Sequence, residues 1–250
     1  MLIRDRLANE GRFLFRWRSY APLVLLPLFL AALPEEQRIS QAVGPTVEHI
    51  MFFVSVLVSF LGLAIRWATV AFVPGGTSGR NTLGQRADQL NTSGMYSIVR
   101  NPLYVGNFVA ILGVLICVKV WWLVAMFALC YWLYIERVIA VEEAFLEHKF
   151  GDDYRAWAAR TPAFLPRVSD WVAPSQPFSL TFLLRREYNG LLAVGASFFA
   201  LELILDVFVQ HETFAEWVAE DAAWIALGAT TLALLLVLRF LKTRTHVLDT

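Results

Sequence analysis

The chain is poor in cysteine and histidine: its 250 residues hold two cysteines, Cys117 and Cys130, and four histidines, His49, His148, His211 and His246. Both cysteines fall inside apolar stretches, where a small buried thiol is the common fate, so neither a disulfide framework nor a zinc site is expected. No two histidines have metal-ligand spacing and none adjoins a cysteine, so no structural or catalytic metal is expected. An excess of charge of one sign is missing too, because 21 Lys+Arg balance 21 Asp+Glu. Nothing in that balance points to a nucleic-acid partner. There is also no Gly-x-Gly-x-x-Gly turn of the kind that joins a strand to a helix in dinucleotide-binding folds.

What the chain has instead is apolar surface. Hydrophobic residues make up 58% of it and the mean hydropathy is +0.56, above the roughly 45–50% apolar content of soluble domains. The apolar residues lie in blocks: Ala21–Leu33, Ile50–Val73, Leu103–Val118, Val120–Val141, Asn189–Gln210 and Ala222–Leu241. Each is long enough, or nearly so, to cross about 30 Å of hydrocarbon at 1.5 Å per residue, and a spanning backbone must be helical. The expectation is an all-α, polytopic transmembrane bundle of about six spans. Only Lys119 separates the third and fourth blocks, which predicts a tight helical hairpin at its core. Aromatic residues near the block ends fit interfacial belts.

Before the first block, Arg4, Arg6, Arg12, Arg16 and Arg18 interleave with Phe13, Phe15, Trp17 and Tyr20, which reads as a basic interfacial segment over 1–20. A basic start and a short apolar run also suit a cleaved signal peptide; the retained segment agrees better with the charge distribution. One side of the membrane collects the N-terminal arginines, Arg80, Arg86, Arg100, Lys149, Arg155, Arg160, Arg167, Arg185, Arg186, Lys242 and Arg244. The other has Arg38, Lys119 and the acidic loop His211–Asp221. By the positive-inside rule both termini are cytoplasmic, in an inner or plasma membrane. The chain divides into the interfacial segment (1–20), two spans (21–73), a core of two long cytoplasmic loops around the hairpin (74–188), and two further spans with a tail (189–250). The two loops meet at the hairpin's cytoplasmic mouth, where a site is expected.

The residues at that mouth form a pattern. Residues 94–104 read GMYSIVRNPLY; Glu142-Glu143 follow after the hairpin, then FGDDY at 150–154 and TPAFLP at 161–166. In this order and spacing, over roughly residues 50–167, the chain resembles the isoprenylcysteine carboxyl methyltransferases and their relatives among the phospholipid methyltransferases. Gly94, Tyr96, Arg100, Pro102 and Tyr104 match the first part of the family pattern. Glu142, Glu143, Leu146, Phe150, Gly151 and Tyr154 match the second, and Pro162 and Pro166 the tail. Asn101 stands where the family usually has His; Asn donates and accepts hydrogen bonds but carries no titratable proton.

The resemblance implies S-adenosylmethionine as cofactor, and a lipid or lipidated small molecule in the bilayer as methyl acceptor. Cofactor binding then falls to Gly94, Tyr96, Arg100, Asn101, Pro102, Tyr104, Glu142 and Glu143. Catalytic positioning falls to Arg100 and Asn101, and, from its place inside a span rather than from the resemblance, to Arg137, which could hold an acidic substrate head group; Arg66 in the second span is open to the same reading. Each residue also has a plainer reading. The acidic pair could be a solvated helix end, although acids at a helix C-terminus oppose the dipole. Arg100 could be a positive-inside anchor rather than a grip on carboxylate or phosphate. Tyr96 and Tyr104 could be interfacial aromatics, and Arg137 could form a local ion pair with Glu136. Gly151 reads as a helix-ending turn. Glu202 and Asp206, four apart on one face, could pair with Arg66 or Arg137, or line the substrate's entry path. Arginines without a histidine favour an anionic acceptor, a carboxylate or phosphate oxygen, because an amine would want a base nearby. The alternatives are N-methylation of a phospholipid amine, a nicotinamide-dependent sterol-type reductase, and a transporter. The last lacks support from inverted repeats.

Overall fold

A computed structural model describes residues 10, 11, 13–17, 21–74, 87–209, 213, 215, 217, 218 and 222–244. Most of the interfacial segment, the glycine-rich stretch 75–86 and most of the acidic loop 211–221 lie outside these residues. Among the described residues every regular element is helical: α1 (Leu26–Val43), α2 (Pro45–Val70), the single turn α3 (Met95–Ile98), α4 (Pro102–Cys117), α5 (Trp121–Arg160), α6 (Leu180–Leu203) and α7 (Ala222–Arg244). A 3₁₀ turn leads into α1, and α6 runs on as a π-helical stretch, Ile204–Val209. The all-α membrane bundle read from the sequence is the observed architecture.

Among the described residues, four stretches are long and apolar enough to cross a membrane: Thr46–Val70, Trp121–Arg160, Leu180–Val209 and Trp224–Leu241. The six apolar blocks therefore correspond to four full-length candidates and two lesser helices. α4 is apolar but shorter, and α1 runs beyond its apolar block through Glu35, Glu36 and Arg38. The outward faces are greasy: Phe53, Leu57 and Leu61 on α2 and Leu232, Leu236 and Phe240 on α7 are exposed. Apolar surface of that extent suits hydrocarbon rather than water.

Polar and small residues hold the bundle together where lipid offers no hydrophobic drive. A Cβ on Gly62 of α2 would collide with the backbone of Ala110 in α4, so only glycine lets these helices approach so closely. Beside it the buried Ser59 hydroxyl donates to the Ala110 carbonyl at 2.9 Å. Small residues at a crossing, joined by a serine hydrogen bond, are the usual means of helix association in membranes.

The hairpin of α4 and α5 turns at Lys119, whose φ of 63° is left-handed. Its ammonium lies 2.8 Å from Glu36 and 3.3 Å from Glu48. Burial alone would lower its pKa, but these two carboxylates outweigh that and raise it. Trp122 donates to Glu35 at 2.6 Å. Glu35 and Glu36 of α1 are thus answered at this end of the hairpin. At the other end α5 continues well past the hydrocarbon. Glu142 lies about 32 Å along the helix axis from Trp121, close to one bilayer thickness. The first break in α5 comes at Gly151, with φ 55° and ψ −124°. Glu142 and Glu143 therefore sit inside a continuous helix, and the expected conflict with a helix C-terminus does not arise.

Candidate functional site at the hairpin mouth

The motif around residues 94–104 is held in shape from both sides. Gly94 takes φ 59° and ψ −134° to start α3, a conformation that disfavours any side chain. Pro102 opens α4 at its first position, where its missing N–H removes no helical bond. Between these elements the backbone is tied to the segment after α5. The amide of Arg100 donates to Pro162 O at 2.8 Å, that of Arg167 to Ile98 O at 2.9 Å, and that of Gly94 to Val172 O at 2.9 Å. The buried Ser97 hydroxyl donates to Gly94 O at 2.8 Å and accepts from the Val172 amide at 2.9 Å. Asn101, the departure from the family pattern, uses its amide to donate to Ala163 O at 2.9 Å. The proline-flanked tail is thus a strap over the motif.

Against this frame the structure sets the two acids of α5. Tyr104 Oη donates to Glu142 Oε1 at 2.9 Å. Arg100 Nη2 lies 3.0 Å from Glu143 Oε1, and its Nη1 donates to Ala158 O at 3.1 Å. Adjacent helical positions point about 100° apart, and the two glutamates serve different partners accordingly. Glu142 lines a large cavity; Glu143 backs Arg100 from outside it. Arg100 Nε is buried and makes no hydrogen bond, a donor left over for a ligand. Tyr96 also lines the cavity. Burial, then the charge of Glu142, raises its pKa, so its hydroxyl stays protonated. Its carbonyl accepts from Trp157 Nε1 at 3.1 Å.

The cavity has a volume of about 1500 Å³ and includes Tyr96, Arg100, Asn101, Pro102, Tyr104 and Glu142 in its walls. Typical ligand pockets run to roughly 300–1,000 Å³, so this one has room for two ligands side by side. Its polar end is this motif. Its other end descends between Leu63, Ala110, Val114, Leu115 and Phe127, which is the core of the bundle. No histidine is among the described residues that line it.

Two of the expected site residues lie apart from the rest. Gly94 is buried in the strap's hydrogen-bond network rather than in the cavity wall. Arg137 turns toward the N-terminal segment, where its Nε lies 3.0 Å from Glu10 and its Nη1 donates to Leu133 O; it does not reach the cavity. The expected partnership of Arg66 or Arg137 with Glu202 and Asp206 is replaced. Arg66 binds Glu187 through two bonds, Nε to Oε2 at 2.8 Å and Nη2 to Oε1 at 2.8 Å, and donates from Nη1 to Asn107 Oδ1 at 2.6 Å. Arg66, Asn107, Arg186 and Glu187 all line the cavity; of these, the sequence pointed only to Arg66, as a charge inside a span that either meets a substrate head group or makes a local ion pair. The same signal was available at Asn107, a lone amide in the apolar α4, since polar groups at membrane depth usually face a cavity.

Residues 50–153 match the phospholipid methyltransferase family. The chain is 43% identical over 137 residues to a nickel-cobalt-cadmium resistance protein of Alcaligenes xylosoxydans, covering 54% of this chain and 60% of that protein. It is 41% identical over 86 residues to a cobalt-zinc-cadmium resistance protein of Cupriavidus metallidurans, covering 34% of this chain and 39% of that protein. To the protein-S-isoprenylcysteine O-methyltransferase of Schizosaccharomyces pombe it is 30% identical over 112 residues, covering 44% of this chain and 48% of that enzyme. The chain thus spans between 39% and 60% of the length of these relatives. No solved structure matches it. Among the described residues no cluster of three or more His, Cys, Asp or Glu side chains could hold a metal ion.

Proposed function

We propose that this chain, whose residues 50–153 carry the phospholipid methyltransferase signature, moves a methyl group from S-adenosylmethionine to an anionic oxygen of a membrane-embedded lipid or prenylated substrate. One observation carries the reading: Arg100, Tyr104 and Glu142 line the polar end of a cavity whose other end is apolar and reaches into the bundle. The family match and the fission-yeast isoprenylcysteine methyltransferase support the reaction class.

S-adenosylmethionine, when bound, supplies a methyl on a sulfonium together with an ammonium and a carboxylate. The residues present suit those groups. Glu142 offers an anion to the ammonium, the unpartnered Nε of Arg100 offers a donor to the carboxylate, and Tyr96 offers a protonated hydroxyl and an aromatic face. Glu143 holds Arg100 in place, and Asn101 keeps the strap closed. Methyl transfer needs alignment and exclusion of water more than proton movement. A carboxylate or phosphate is already a nucleophile, which fits a cavity whose described lining has arginines and no histidine. We place the polar end on the cytoplasmic side, following the distribution of arginines.

Two relatives are named for resistance to metal ions. Those names give no chemistry for this cavity, and the reading rests on methyl transfer. Purified protein, incubated with methyl-labelled S-adenosylmethionine and a membrane lipid extract, should transfer label onto oxygen, giving a carboxylate or phosphate methyl ester identified by mass spectrometry. Label appearing only on nitrogen, in methylated amines, would contradict the anionic acceptor. No transfer, with no affinity for S-adenosylhomocysteine, would contradict the whole reading.

A further inference from the structure

We propose that Asn107 binds the anionic oxygen of the acceptor, with Arg66 and Glu187 as its positioning residues. The proposal deepens the methyl-transfer reading above and rests on it.

Tyr104 and Asn107 are three residues apart on α4 and share a face. Both line the cavity. Tyr104 binds Glu142 at the polar end. Asn107 lies about 4.5 Å further along the helix, toward the apolar walls. A group held there would sit between a cofactor at Glu142 and a chain lying along Ala110 and Val114.

The contacts of Asn107 fix what it presents. Its Oδ1 accepts from Arg66 Nη1 at 2.6 Å, which assigns the amide orientation and turns its N–H₂ group away from Arg66. Arg66 cannot swing to serve another ligand, because Glu187 holds its Nε and Nη2 at 2.8 Å each. Glu187 is 3% exposed. Burying such a pair is expensive, and charges at membrane depth generally mark a substrate path. Glu187 belongs to α6, beyond the matched segment 50–153, so the C-terminal part of the chain completes this subsite. The chemistry is donation by a fixed amide to a carboxylate or phosphate oxygen, with Arg66 polarising the amide from behind.

The test uses Asn107→Asp. The new carboxylate still accepts from Arg66, so the helix contact persists, but the donor becomes a negative charge. Purified full-length protein in a neutral detergent is titrated with palmitate, with hexadecanol and with S-adenosylhomocysteine. N107D should weaken palmitate at least about tenfold, the scale of a lost hydrogen bond to a charged group. Hexadecanol and S-adenosylhomocysteine should bind as to the wild type. Asn107→Leu, which removes the donor without adding charge, should weaken palmitate in the same direction and keeps the test open if N107D does not fold. Equal palmitate affinity in wild type and N107D, or an equal loss for hexadecanol, would overturn the subsite while S-adenosylhomocysteine binding upheld the methyl-transfer reading. Wild-type protein that does not bind S-adenosylhomocysteine would overturn both.

Discussion

The pair formed by Arg66 and Glu187 joins α2 to α6 across 121 residues of sequence, and its removal can be predicted in detail. The arginine side chain is 13% exposed and the glutamate 3%, so solvent screens little of the interaction. Changing Glu187 to Met leaves a guanidinium buried without a counter-charge. Changing Arg66 to Met leaves a carboxylate buried without a counter-charge. Either single change should cost about 3–5 kcal/mol. Changing both, to Met at each position, removes both charges and should recover most of that loss, because well-packed apolar side chains commonly replace a buried pair at little cost. The coupling in the double-mutant cycle should therefore exceed about 3 kcal/mol. Reversible unfolding in mixed micelles, followed by helical circular dichroism, would measure it. The pair of Arg155 with Asp152, at 63% and 95% exposure, serves as a control whose removal should change little. If the double variant loses the sum of the two single losses, the charges are not coupled and the reasoning fails.

Other outcomes follow from single positions. Gly62→Val should abolish folded, cavity-containing protein, since a Cβ there meets the Ala110 backbone; a monodisperse, heat-stable G62V variant would contradict the tight crossing of α2 and α4. Lys119 has a pKa raised above 10.5 by Glu36 and Glu48 despite burial, so its contribution is complete below about pH 10.5 and is lost as pH rises through the folded-state value. The stability difference between wild type and Lys119→Met should thus stay flat from about pH 7 to 9 and shrink above about 10.5. Tyr96, with its pKa raised by burial and then by Glu142, should contribute no inflection to a pH–rate profile below about pH 10. An inflection there in wild type that disappears in Tyr96→Phe would contradict its buried, protonated state.

The parts legible in the sequence were those written locally. Apolar block length gave the helices, Lys119 marked the hairpin turn, and the spacing from Gly94 to Glu143 brought Arg100, Tyr104 and the two acids to one mouth. What escaped was written across the chain. The first apolar block ends at Leu33, before Glu35, Glu36 and Arg38, yet α1 runs on to Val43. It continues because Lys119 and Trp122 answer two of those acids, and periodicity carries no record of distant partners. Arg66 found Glu187 rather than Glu202 or Asp206 for the same reason: the choice depends on how deep each helix sits against its neighbour. The acidic pair looked like a helix end because the apolar block stops at Val141, whereas the backbone stays helical until glycine at 151 turns it.

The central claim is that Glu142, and not its neighbour, faces the methyl donor. Calorimetric titration of S-adenosylhomocysteine into wild type, Glu142→Gln and Glu143→Gln, in one detergent, tests it directly. The account predicts single-site binding to the wild type, at least about tenfold weaker binding to E142Q, from the loss of one charged partner, and a smaller loss in E143Q, which only releases Arg100. Wild-type protein with no measurable affinity, or E142Q binding as tightly as wild type, would contradict it.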